Sequence, residues 1–186
     1  MSNQQTERIK ELCLKIQNQN PIQIARTLMQ DPLIHMHGPE HHILDGAALL
    51  TALHNTGLNF SLEEALDELI RRGSQMPGAI CGQWGVCGSA ASVGAALAIV
   101  HQTGPLSDNA YYKENLLLAS RALANIAEVG GPRCCKRNAF ISLKTAIQFL
   151  KEKEGICLED ETVHCEFYPR NAQCLKEKCP FYPKTA

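Results

Sequence analysis

The chain has 186 residues, of which 45% are hydrophobic and 20% charged, so it is long enough for one substantial core and too apolar to stay disordered. A formal net charge of −1 and a pI near 6.6 give no ground for a nucleic-acid partner or an anionic membrane. No basic segment followed by an apolar stretch opens the chain, and no apolar run reaches membrane-spanning length, which points to a soluble, cytoplasmic protein.

In chain order, the spacing of apolar residues predicts an all-α fold. Ile9, Leu12, Cys13 and Ile16 share one helical face, and Pro21 opens a second helix carrying Ile24, Ala25, Leu28 and Met29. After a loop holding His37 and Gly38, Pro39 precedes a third helix with Ile43, Ala47, Leu50 and His54 on one stripe. Ser61 and Glu64 match a capping box ahead of Leu62, Ala65, Leu66, Leu69 and Ile70, a strongly amphipathic fourth helix. A glycine-rich loop from Gln75 to Gly88 gives way to a run of small residues, Ala90 to Ala98, suited to close contacts in a central helix. Two further helices are expected from about Lys113 to Val129 and from Lys136 to Glu152. The expectation is therefore a single bundle-like domain of about seven helices over residues 1–154, followed by a cysteine-rich, metal-binding tail over 155–186.

Nine cysteines, an odd number, do not fit a fully paired disulfide framework, and clustered thiols in a reducing compartment point to metal or redox chemistry. In the tail, Cys165-Glu166-Phe167-Tyr168-Pro169 returns as Cys179-Pro180-Phe181-Tyr182-Pro183. Such turns fold a short segment back so that Cys157, Cys165, Cys174 and Cys179 supply four soft donors. Their spacing of seven, eight and four intervening residues is neither that of a zinc ribbon nor that of a ferredoxin. Four thiolates suit an iron–sulfur cluster, of the 4Fe-4S kind, or zinc, and His164 is an alternative to one of them.

Three other segments each lead into a helix: His37 to His42, Cys81 to Gly88, and Gly130 to Arg137. A helix N-terminus favours anions and thiolates, and Arg133, Lys136 and Arg137 add positive charge beside Cys134 and Cys135. Convergence of the three would make an electropositive thiol pocket with lowered thiol pKa values. Its expected reactive residues are Cys134, Cys135, His37, Glu40 and His41, with Cys81, Cys87 and Arg133 binding a cofactor or ligand. His37, Glu40 and His41 also match the H-x-x-E-H spacing of inverted zinc peptidases, but Gly38 and Pro39 keep His37 off the helix that the motif requires.

The segments HGPEHH, C-G-x-W-G-x-C-G and GGPRCCKR, with the ending N-x-x-C-x-x-x-x-C-P, together resemble the domain of unknown function 5714, a family of anaerobic bacteria and archaea, over most of the chain after about residue 33. The resemblance implies that the three loops and the tail belong to one recurrent design. Some relatives in that family carry the label of SAM-dependent methyltransferase, but the chain has neither a Gly-rich strand-turn-helix nor a C-x-x-x-C-x-x-C motif. The function expected is that of a metal–thiol protein with a Cys/His pocket for redox or soft-group handling, acting on a small molecule or a redox partner protein. The alternative is a zinc-stabilised binding module without chemistry.

Overall fold

In a computed structural model that describes residues 1–183, the predicted apolar stripes close on one another as helices. These are α1 (Asn3–Lys15), α2 (Pro21–Gln30), α3 (His41–Asn55), α4 (Leu62–Gly73), α5 (Ile80–Gln83), α6 (Gly88–Val100), α7 (Ala110–Val129) and α8 (Cys135–Glu154). The described residues contain no strand. The eighth helix is α5, a single turn inside the glycine-rich loop, entered through Ala79 in the left-handed conformation at φ 65°. Residues 184–186 of the expected tail lie outside the described residues.

Local chemistry sets the helix starts. Ser2 and Gln5 form a reciprocal capping box on α1, Asn20 caps α2 ahead of Pro21, and Ser61 Oγ accepts the Glu64 N–H at 3.3 Å on α4. At α8 the cap is a thiol: Cys134 Sγ accepts the Arg137 N–H at 3.4 Å.

α3 is buried along nearly its whole length, and α6 packs against it and against α4, α7 and α8. The close approach depends on Gly46, whose N–H donates to Ser92 Oγ at 2.9 Å and where a Cβ would lie 2.6 Å from the Ser92 carbonyl oxygen. Ser89 Oγ and Ser142 Oγ, 2.9 Å apart, link α6 to α8.

Gly155, at φ 69°, ends α8, and the tail then runs back beside it. Lys144 reaches Asp160 at 2.8 Å, Arg26 of α2 reaches Glu161 at 2.8 Å, and Gln30 reaches Glu166 at 3.0 Å. Leu158, Val163 and Phe167 are buried in the same core as the helices. Phe167 and Phe181 both pack on Phe140, at ring-centroid distances of 6.5 Å and 5.7 Å. The return path brings Asn171 to the start of α8, about 30 Å from where the tail began, as a helix of 20 residues requires.

Candidate functional site

The loop before α3, the loop containing α5 and the turn before α8 meet around a cavity of about 270 Å³. Six residues singled out from the sequence line it: His37, His41, Cys81, Cys87, Arg133 and Cys135. His42, Ser89 and Asn138 line it too, and sequence reasoning missed all three. Gly88 is seated against the His42 ring so closely that a side chain there would overlap it. Asn138 Nδ2–H donates to Cys87 Sγ at 3.3 Å.

His37 lies outside α3, so no helix aligns it with His41 and the H-x-x-E-H geometry is not formed. Its Nδ1 accepts the Cys135 N–H at 3.4 Å, while its Nε2 is 3.1 Å from both Asn171 Oδ1 and Gln173 Oε1. Nδ1 as acceptor and Nε2 facing two acceptors define a neutral ring protonated on Nε2. Burial, with the Arg133 charge adding to it, holds the pKa of His37 below the usual histidine value.

Glu40 does not reach the cavity surface. It is fully buried at the N-cap of α3, one carboxylate oxygen accepts the His35 N–H at 2.9 Å, and the other has no partner among the described residues. One helical turn on, Asp45 is also fully buried and both its oxygens lack a hydrogen-bond partner. The His41 ring stands beside it, with Nδ1 3.7 Å from one carboxylate oxygen. His41 Nε2 is in turn 3.3 Å from the Nζ of Lys136, which is only 1% exposed and lies 5.2 Å from the Phe167 ring centroid. A buried ammonium persists only with nearby negative charge. Burial lowers the Lys136 pKa to about 8 against the opposing pull of Asp45 and Glu40. Asp45 was legible in principle, since it stands four residues after His41 on the same helical face.

The expected lowering of thiol pKa values is not what the structure gives. Loss of solvent pushes Cys135 up to about 12, and the same cause raises Cys87 and Cys134. Backbone N–H groups and arginine charge pull the other way, but a helix terminus worth at most about 2 kcal/mol does not outweigh burial.

Two further expectations are corrected by position. Cys134 does not line the cavity. It is buried and turned to the tail, where Asn171 Nδ2–H donates to its sulfur at 3.5 Å and Cys165 and Cys179 lie nearby. Cys157 is separated from the other tail thiols: it is exposed beside Gly155 at the opposite end of α8. Cys165 is tied to the chain beyond Cys179 by its N–H, which donates to the Phe181 carbonyl at 2.8 Å. Its sulfur receives the amides of Phe167 and Tyr168, and Cys174 Sγ receives the Lys176 N–H at 3.3 Å. Amide donors of this kind stabilise thiolates. His164 is exposed. Among the described residues, no three Cys, His, Asp or Glu side chains stand close enough to grip one metal ion.

Fold and site thus define an all-helical, cysteine-rich protein with a histidine–thiol cavity on one side of the α8 N-terminus and a group of tail thiols on the other. The chain belongs to the Family of unknown function (DUF5714), whose match covers residues 9–182. No curated protein and no solved structure matches it. None of its described helices is long and apolar enough to cross a membrane.

Proposed function

We propose that this chain is an iron–sulfur protein in which Cys134, Cys165, Cys174 and Cys179 hold a cluster, and that the histidine–thiol cavity beside it handles electrons or a soft, sulfur-bearing group. The observation that carries this is the turning of Cys134 out of the cavity toward the returning tail, where Asn171 bonds its sulfur. A buried thiol at a helix N-cap needs no such company for packing alone.

The donor chemistry fits the group. Three of the four sulfurs receive backbone N–H groups, and every one is a thiolate-forming soft donor. All four are cysteine thiols, the donor set of an iron–sulfur cluster. When bound, it would supply one-electron chemistry. The protein's own part is to hold Cys134 and Cys135 on adjacent residues, so that the tail thiols and the cavity share a wall. His37 spans the same wall, bonded to the Cys135 amide on one side and to Asn171 on the other.

The test is iron, acid-labile sulfide and zinc analysis of protein prepared without oxygen, together with its visible spectrum. Iron and sulfide in near-equal amounts, with a broad brown absorbance bleached by dithionite, are expected. Stoichiometric zinc in a colourless protein, or less than one equivalent of any metal, would overturn the proposal.

A further inference from the structure

Beyond the wall formed by Cys87 and Asn138 lies a second cavity, of about 580 Å³, between α7 and the loop that carries α5. Leu123, Ile126 and Ala127 of α7 form its apolar side, and four glycines with Arg133 and Arg137 are among the residues that line it elsewhere. It shares Ala79, Cys81, Cys87, Arg133 and Asn138 with the histidine–thiol cavity, so the two are chambers of one cleft. The volume falls within the range of small-molecule sites.

The two arginines of this turn have different duties. Arg137 is buried, and its Nη2 donates to the Gly130 carbonyl at 2.7 Å and the Pro132 carbonyl at 3.0 Å while its Nε donates to Asn138 Oδ1 at 3.4 Å. It braces the turn. Arg133 is exposed on the wall common to both chambers, and among the described residues it has no ion pair and no hydrogen bond. A guanidinium presents a planar fork suited to a carboxylate or a similar compact anion. An apolar chamber leading to such a fork selects one kind of molecule.

We infer that the cleft binds a small organic anion, its apolar body in the α7 chamber and its anionic end at Arg133, facing the thiols and histidines of the first chamber. Free inorganic anions lack the apolar body, and neutral amphiphiles lack the charge. The binding does not depend on metal, so it stands or falls separately from the cluster.

The experiment titrates the full-length protein with octanoate, octanol and acetate, followed by calorimetry and by NMR shifts of the α7 alanine methyls. Octanoate is expected to bind at least tenfold more tightly than either acetate or octanol, about the gain from one desolvated charged hydrogen bond. Arg133→Gln should cost octanoate about tenfold and leave octanol unchanged. Ala127→Trp, which fills the apolar chamber from an exposed helix position, should abolish binding of both eight-carbon probes. Circular dichroism and metal content of each variant, measured in parallel, establish that the fold and the tail site are intact. Equal binding of octanoate and acetate, no saturable binding, an Arg133→Gln variant as tight as the parent, or octanol binding untouched by Ala127→Trp would each overturn the inference.

Discussion

Truncating Phe167 to alanine tests how the tail is held when no metal is present. The ring is fully buried, lies 6.5 Å from Phe140 and stands 5.2 Å from the Lys136 ammonium. A fully buried phenylalanine removes about 150–250 Å² from water, roughly 4–6 kcal/mol at 25 cal/mol per Å², and that is an upper bound because the unfolded chain is itself partly collapsed. Large-to-small core substitutions of this kind cost about 3–5 kcal/mol, with the lost cation–π contact contributing about 0.5–2 of it. The expected loss is therefore about 3–5 kcal/mol in urea unfolding of reduced, chelator-treated protein, with earlier proteolytic cleavage between residues 155 and 170. Leu106→Ala, at a site 96% exposed, is the control and should move stability by less than about 0.5 kcal/mol. A loss below about 1 kcal/mol for Phe167→Ala would refute docking through this ring.

Gly46→Ala places a methyl 2.6 Å from the Ser92 carbonyl oxygen, and forcing α3 and α6 apart should cost about 1–3 kcal/mol by thermal unfolding. His101 has Nε2 3.1 Å from Glu154 and Nδ1 3.1 Å from Asn115; burial favours its neutral form, but the Glu154 carboxylate more than offsets this and raises its pKa. A raised folded pKa adds stability in full below the unfolded value of about 6.5 and loses it as pH rises through the folded value. Unfolding measured from pH 5.5 to 9 should show that decline, and Glu154→Gln should flatten it; an unchanged slope would contradict the pairing. Iodoacetamide at pH 8 should label the exposed Cys81 and Cys157 in native protein, whereas Cys13, buried in α1 and pushed up to about 12, should be labelled only on unfolding. Mass spectrometry of the digest reads the order directly.

Most of the helical fold is legible from local rules. Ser61 with Glu64, and Asn20 with Pro21, mark helix starts that the structure keeps, and the small residues after Gly88 mark the helix that α3 approaches at Gly46. What escaped was non-local. Cys134 and Cys135 are neighbours in sequence, but successive residues at a helix start point about 100° apart, so one faces the tail and the other the cavity. Cys157 looks like a partner of Cys165 in sequence, whereas α8 has to be retraced before the tail reaches Cys134, and no local pattern encodes that docking. The sign of the thiol shifts was missed because charge is visible in sequence and desolvation is not. Lys136, expected as positive charge beside the Cys134 and Cys135 thiols, is buried against His41 and Phe167.

The central claim is that the cluster's fourth thiol comes from the start of α8 and not from its far end. Iron and sulfide content of Cys134→Ser and Cys157→Ser, each prepared without oxygen beside the parent, tests it most directly. The account predicts that Cys157→Ser keeps the parent's iron, sulfide and visible spectrum while Cys134→Ser loses most of all three. Retention of the cluster in Cys134→Ser with loss in Cys157→Ser would contradict it.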